Sequence, residues 1–357
     1  MVRLIYGFAV YEHDPRTALS VFFYRQFCGS EGEKMLVPVL LFLLGFALLI
    51  KGGDWFVDGA VGIAHRFHLP EILIGATVVS IGTTLPEVMV SAQAALQHNS
   101  GISYGNAIGS IICNTSLIAA ITVAVHPSDV KKSTLKLPVI AFFVSAVVYC
   151  LIAYTTGQFQ RWHGFMFLAM FAAYMVISVK QMTSSGEQPE ETEEEEQKEE
   201  TTLTKEIILM AVGAAAIAFG ANLLVNNGTI IAEALGVPSS VIGLTMVALG
   251  TSLPELVTAI TSLMKGHGAL SLGNVIGANL FNIVLVSGAA ISISPFAVPA
   301  EKTLMGINSS LLVDIPVMLC VMSLLCFPAL ATGKLKRWQG ITLLCIYAAF
   351  TFYQFVL

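Results

Sequence analysis

Two glutamates occupy near-identical surroundings in this 357-residue chain: Glu87 closes the stretch "GTTLPE" at residues 82–87, and Glu255 closes "GTSLPE" at residues 250–255. Both lie inside long apolar runs, where holding a carboxylate at bilayer depth costs about 2.5–3.5 kcal/mol. Pro86 has no amide hydrogen and its ring collides with the Gly82 carbonyl, which predicts a helix bent or broken across residues 82–86. Carbonyls freed there are tolerated in a bilayer only where protein or a water-filled cavity satisfies them. Freed carbonyls, threonine hydroxyls and two carboxylates together make an all-oxygen cage. Oxygen donors suit hard cations: Ca2+ takes about six to eight of them at about 2.3–2.6 Å, and one Ca2+ would neutralise the two glutamates. Several Na+ could occupy the same cavity instead, each needing fewer ligands and less charge.

Other polar residues fall near the same depth. Gly101, Gly105 and Gly109 in "GISYGNAIGS" recur every four residues, and "GNVIG" repeats part of the pattern, as expected of close helix packing through small residues. Such packing would press two neighbouring helices against the broken ones and let Ser110, Asn114 and Asn282 line the cage; an interhelical hydrogen bond is the competing role for each. Asp54 and Asp58, which the repeat described below places opposite Asn222 and Asn226, suit interfacial capping or a gate. Asp314 has Ala146 as its counterpart and gains nothing from symmetry. The seven histidines form no HExxH pattern, and the six cysteines show no metal-ligand spacing and are expected to be reduced.

The elements that must carry these groups are membrane helices. With 55% hydrophobic side chains, 11% charged and a mean hydropathy of +0.78, the composition excludes a water-soluble domain. Apolar runs near residues 36–50, 70–97, 102–125, 137–156, 162–180, 205–225, 238–264, 269–297, 307–330 and 338–357 predict ten transmembrane helices, most reaching the roughly 20 residues a span needs. The first continues through "KGGDWFVDGAVGIA" as a longer amphipathic helix. Sliding the chain on itself by 168 residues carries "GATVVSIGTTLPE" onto "GLTMVALGTSLPE" with eight of thirteen positions identical, and "SYGNAIGSIICN" onto "SLGNVIGANLFN". Each half holds five helices, an odd number, so the second must enter from the opposite side. The fold expected is therefore all-α: two inverted five-helix repeats with broken helices at the midplane, an arrangement characteristic of secondary transporters.

Residues 35–180 form the first repeat and 205–357 the second. Between them, at 181–204, lies an acidic loop with nine glutamates in residues 186–200, read as disordered and solvated. With the N-terminus outside, twelve Lys and Arg fall in inner loops and two, Arg161 and Lys302, in outer ones. That bias puts both termini outside and the acidic loop in the cytoplasm of a prokaryotic cell. Residues 1–34 fit neither a span nor a signal peptide and are read as an extension upstream of a natural start at Met35.

"GTTLPE…GNAIGSIICN" and "GTSLPE…GNVIGANLFN" closely resemble the two alpha repeats of the Ca2+/cation antiporter superfamily, specifically the prokaryotic sodium/calcium exchangers, from about residue 35 onward. The resemblance implies alternating access, with the first and sixth helices sliding against a core of eight. It implies a central Ca2+ site of Glu87, Glu255 and the Thr83 and Thr251 carbonyls. Na+ would be held by Ser80 (through its carbonyl), Thr83, Ser110 and Glu255 on one side, and by the Ala248 carbonyl, Thr251, Ser252 and Glu87 on the other. Thr84, Asn114 and Asn282 complete the cavity. Two positions depart from the pattern: Ala278 stands where the repeat and many relatives offer a serine hydroxyl, and Asn282 where some members, including potassium-dependent ones, carry Asp. Asparagine at both 114 and 282 leaves a cavity charge of −2, matched by one Ca2+ and unfavourable for added K+. Ca2+/H+ exchange is the alternative, with protons titrating the two glutamates, although the TLPE motif favours the sodium branch. No enzymatic activity, cofactor or nucleic-acid partner is expected. An intramembrane hydrolase would need an asymmetric acid and base, and a passive channel would not need inverted repeats with broken helices.

Overall fold

The computed structural model describes residues 32–67, 69–184, 202–234, 248–300, 303–304 and 306–356. Most of the N-terminal extension, the acidic run at 186–200 and the stretch 238–247 of the seventh apolar run lie outside these residues. The fold is nearly all helix, as an apolar chain that must satisfy its own backbone groups requires. In chain order the helices are α1 (Gly32–Arg66), α2 (Glu71–Leu96), α3 (Ser100–Val125), α4 (Lys132–Thr155), α5 (Arg161–Ser184) and α6 (Leu203–Ala234). They continue with α7 (Ala248–Thr251), α8 (Leu253–Met264), α9 (Gly268–Ile293), α10 (Ser310–Thr332) and α11 (Arg337–Val356). Among the described residues eight of these, α1 to α6, α9 and α10, are long and apolar enough to cross a membrane. The seventh and tenth expected spans correspond to the shorter α8 and to α11.

Local signals set the helix ends. The Asn99 side chain accepts a hydrogen bond from the Ile102 amide at 3.1 Å and starts α3, and Gly333, at φ 72°, ends α10 in a left-handed cap that other residues adopt at a cost. Two antiparallel ribbons join loops: β1 (Gln158–Phe159) pairs with β2 (Phe296–Ala297), and β3 (Thr303–Leu304) with β4 (Ile307–Asn308).

Two bodies of packing are evident. The larger core gathers side chains of α2, α3, α4, α5, α9 and α10, including Phe142, Tyr149, Phe167 and Phe281; a smaller one joins Leu49, Phe56, Val57, Ile217 and Ala221 of α1 and α6. The share of each span buried inside the protein is highest for α9 (78%) and α3 (72%) and lowest for α6 (22%), α1 and α5 (28% each). The last three therefore present most of their surface to lipid.

α1 and α6 lie side by side in opposite directions. A side chain at Gly45 would strike the Gly220 carbonyl, one at Gly52 the Gly213 carbonyl, and one at Gly59 the Glu206 carbonyl. Gly213 and Gly220 stand 168 residues after Gly45 and Gly52, so the two contacts are each other's images under the sequence repeat. At one end the Arg66 guanidinium grips the buried Glu206 carboxylate with two bonds, Nε to Oε2 at 2.9 Å and an Nη to Oε1 at 3.0 Å. This fork-to-fork geometry is the strongest ionic contact between these helices.

A second crosswise device was not singled out in the sequence. "RWHG" opens α5 and "RWQG" opens α11. Arg161 donates to the Ile293 carbonyl at the end of α9 (3.2 Å), and Arg337 to the Val125 carbonyl at the end of α3 (3.4 Å). Each arginine thus places a cation on the negative end of a helix from the other half. Gly164 and Gly340 let the backbones of α9 and α3 approach closely.

Candidate functional site

The irregular backbone that the prolines predict is present, but the two motifs realise it differently. In α2 the helix runs unbroken from Ser80 through Pro86 to Leu96; the irregularity lies one to two turns earlier, as a π turn over Gly75–Val79. Of the bend or break expected across residues 82–86, a break is not seen in α2; the irregular backbone is a wide turn before the motif. Its neighbours explain the shift. Gly273 and Gly277 of α9 press on the backbone of Ile72 and Ala76, and Gly75 on that of Leu270 and Asn274. Tyr174 of α5 donates to the Ala76 carbonyl (3.0 Å), and the Ser80 hydroxyl adds a bond (2.7 Å) to the Gly75 carbonyl, which also accepts the Ser80 backbone amide. In the second motif the chain does break: α7 ends at Thr251, Ser252 turns with φ −90° and ψ 4°, and α8 starts with Pro254 in its first positions. There the missing amide hydrogen costs nothing.

The glycine expectation holds on α9. On α3, Gly105 and Gly109 have nothing within 4 Å among the described residues, and residues 243–247, which the repeat places opposite the α2 π turn, lie outside them.

Both carboxylates end up wholly buried: Glu87 and Glu255 are each 0% exposed, close enough to interact electrostatically, and none of their four oxygens has a hydrogen-bond partner among the described residues. Thr83 and Thr84 lie beside the Glu255 carboxylate. The Thr84 and Ser252 hydroxyls, both amide atoms of Asn114 and the Asn282 carbonyl oxygen are likewise buried without partners. Buried polar atoms are normally paired, so this concentration of open oxygens marks a place built to face something polar.

Among the sequence-derived candidates, Glu87, Glu255, Thr83, Thr84, Ser252, Asn114, Asn282, Ser80 and Ser110 are buried. Thr251 is half-buried and Ala248 opens α7. Asn114 and Asn282 each begin a π turn, over Asn114–Ala119 and Asn282–Val286, a regularity that the sequence did not announce. Ser80 and Thr83 hydroxyls converge on Asn274, at 2.9 Å to its carbonyl and 3.1 Å to its side-chain oxygen respectively, while Asn106 donates to the Glu87 carbonyl at 3.0 Å and to Ser91. These two asparagines hold the first motif helix, α2, in place and were missed as positioning residues. Their signal was there: they form the "GN" shared by both repeats. Cys113 also reaches the site, beside Ser252 and within range of both glutamates, where its repeat counterpart Phe281 is a core side chain. Among the described residues no three His, Cys, Asp or Glu side chains form a compact metal cluster, and Cys113, Cys150, Cys320, Cys326 and Cys345 are free thiols.

Asp54 and Asp58 stand away from the cage. Lys265, just past α8, bonds Asp58 at 2.8 Å and approaches Asp54 at 3.5 Å, so the acidic pair of α1 is tied to the end of the second motif helix. Asp314 accepts from Gln354 at 2.8 Å, also apart from the cage.

The profile of the sodium/calcium exchanger protein family matches residues 37–180 and 205–356. The chain is 35% identical over 349 residues to the sodium/calcium exchanger MaX1 of Methanosarcina acetivorans, covering 88% of this chain and 97% of that one. It is 32% identical over 265 residues to the inner membrane protein YrbG of Escherichia coli, covering 73% and 81%. Among solved structures it is similar to the sodium-calcium exchanger NCX_Mj soaked with 2.5 mM Na+ and 0.1 mM Ca2+, with a TM-score of 0.75, 32% identity and coverage of 90% of this chain and 99% of that one.

Proposed function

The chain belongs to the sodium/calcium exchanger family, and from that premise we propose that it exchanges Na+ for Ca2+ by alternating access, with the ions held between Glu87 and Glu255. One observation carries the reading: two fully buried carboxylates within electrostatic range of each other, none of whose four oxygens is hydrogen-bonded among the described residues. Two like charges in a poorly polarisable surround repel strongly. A divalent cation between them removes that repulsion and replaces lost hydration with fixed oxygens. The Thr83 and Thr251 carbonyls join the glutamates as the Ca2+ site. Ser80, Thr83, Ser110 and Glu255 form one Na+ subsite, and Ala248, Thr251, Ser252 and Glu87 the other. Thr84, Asn114 and Asn282 complete the wall. Because both cations need the same glutamates, binding one displaces the other, which is the requirement for exchange.

The architecture that goes with this reading is ten helices in two inverted five-helix repeats, 35–180 and 205–357, joined by the acidic loop 181–204 on the cytoplasmic side, with both termini outside. The opposite directions of α1 and α6 and their mirror-image glycine contacts support the inversion. Their lipid-facing surface and their mutual packing support a pair that slides as one body against the core helices.

The test is radioactive Ca2+ uptake into proteoliposomes loaded with Na+, compared with vesicles carrying only a pH gradient. Uptake driven by the Na+ gradient and requiring Glu87 is the expected result. Uptake driven only by protons would move the protein to Ca2+/H+ exchange, and Ca2+ flux without any counter-ion would make it a channel.

A further inference from the structure

Beyond Glu255 the second motif helix carries two more buried hydroxyls, outside the cage. Thr258 and Ser262 of α8 are each 0% exposed, and neither side-chain oxygen has a hydrogen-bond partner among the described residues. A buried Ser or Thr within a helix can bond the carbonyl one turn back. Elsewhere in this protein they do so: Thr77 to Leu73 (2.6 Å), Thr115 to Ile111 (2.8 Å) and Ser145 to Ala141 (2.8 Å). In α8 the two hydroxyls forgo that bond. Spaced three and four residues apart, Glu255, Thr258 and Ser262 share one helix face. At 1.5 Å per residue this polar stripe runs about 10 Å from the cage toward Lys265. The first half has no such stripe: the 168-residue offset puts Val90 and Ala94 at these positions, and the single hydroxyl between Glu87 and Leu96, that of Ser91, accepts from Asn106 at 2.8 Å.

The neighbours of α8 place the stripe at a seam. A side chain at Gly53 of α1 would strike Val257 and Thr261, so that flank of α8 meets α1, whereas Ala259 on the other flank belongs to the larger core. At about 100° per residue Thr258 falls between the two flanks, along the line where the pair of α1 and α6 meets the core helices. Charge guards the far end. Lys265, one turn past Ser262, is held by Asp58 at 2.8 Å and approaches Asp54 at 3.5 Å, both on α1. In place, its ammonium group sets a positive charge across the end of the stripe. Drawn aside, it leaves two carboxylates of α1 there to attract cations.

We propose that the face of α8 bearing Thr258 and Ser262 lines the route by which ions pass between the cage and the cytoplasm, and that Lys265, held on Asp54 and Asp58, closes it. The proposal rests on the exchanger reading above and on its topology, which puts this end of α8 on the cytoplasmic side. The experiment is thiol labelling of Thr258→Cys and Ser262→Cys, each with and without Lys265→Ala. A membrane-impermeant trimethylammonium methanethiosulfonate is added to one face or the other of oriented vesicles. Wild type, with its native thiols, and Ser145→Cys, whose hydroxyl is bonded within α4, give the background. The expected result is labelling of both variants above background from the cytoplasmic face, faster at residue 262 than at 258, and faster again with Lys265→Ala. Thr258→Val and Ser262→Ala give an independent reading. Each should slow exchange about tenfold, as when a passing cation loses one charge-assisted partner. The slowing should appear in both directions, because entry and exit share the route. Calorimetric Ca2+ affinity and melting temperature should hold, because no ligand and no internal bond is lost. Labelling from the outer face alone, no labelling above background in cysteine variants that fold and transport, or wild-type exchange rates in Thr258→Val and Ser262→Ala would overturn the route. Labelling unchanged by Lys265→Ala would overturn the closure. Wild-type uptake that no Na+ gradient drives would overturn the exchanger reading instead, so the failures are distinguishable.

Discussion

The same hexapeptide pattern takes two backbones in this molecule. Around Glu87 the helix is continuous and the disturbance sits upstream, at Gly75–Val79; around Glu255 the helix stops at Thr251 and restarts at Leu253, which puts the carboxylate in the first turn of α8. Glu255 therefore lies at the positive end of a helix, and Glu87 lies mid-helix, without that help. Yet both side chains finish fully buried with open oxygens. Residue type and depth are what the repeat preserves, and the local backbone is settled by what packs against it. On α2 that is a pair of α9 glycines, a serine and a tyrosine that together hold a π turn.

This comparison can be broken most severely at the glutamates. If the halves contribute to one cage, Glu87→Gln and Glu255→Gln should each abolish Na+-driven Ca2+ uptake, with a loss of apparent affinity beyond the roughly 10–100-fold typical of removing an outer-shell partner. Uptake surviving in one variant alone would mean two independent sites. Next comes the proline pair. Pro86→Ala restores an amide inside a continuous helix and should raise thermal stability by up to about 3 kcal/mol while slowing uptake; Pro254→Ala, at the start of α8, should change stability by less than about 1 kcal/mol. Melting curves in detergent alongside uptake rates check both, and equal effects would contradict the two backbones.

The contacts that join the halves give smaller effects. Glu206→Gln loses the fork on Arg66 and should cost about 2 kcal/mol of stability, with a double-mutant cycle against Arg66→Ala recovering most of it as coupling. Lys265→Ala removes a partly exposed link to Asp54 and Asp58, so its cost in stability should stay below about 1 kcal/mol. Its informative readout is transport: if the link holds one end of α1 against α8, the variant should shift the balance of inward and outward uptake rates without altering Ca2+ binding.

Much of the cage was legible in the sequence because it is built from residues that a bilayer tolerates badly. A buried glutamate, a proline inside an apolar run and their return after 168 residues each need an explanation, and they share one. The glycines Gly273 and Gly277 were legible for a similar reason, as small residues at helical spacing. The π turns at 75–79, 114–119 and 282–286 were not, since a wide turn depends on which carbonyls neighbouring helices can satisfy. The Arg161 and Arg337 contacts escaped for another reason: the two "RW" pairs are offset by 176 residues, so the ungapped alignment at 168 passes over them. Asn106 and Asn274 were visible as repeated letters, but their partners Glu87, Ser80 and Thr83 could be assigned only in three dimensions.

The most direct test of the central claim, one cage shared by both motifs, is calorimetric titration of Ca2+ into the purified full-length protein, repeated at increasing Na+ and on Glu87→Gln and Glu255→Gln. The account predicts a single Ca2+ site that weakens steadily as Na+ rises and that is lost in both variants. Ca2+ binding that ignores Na+, or that persists when either glutamate is replaced, would contradict it.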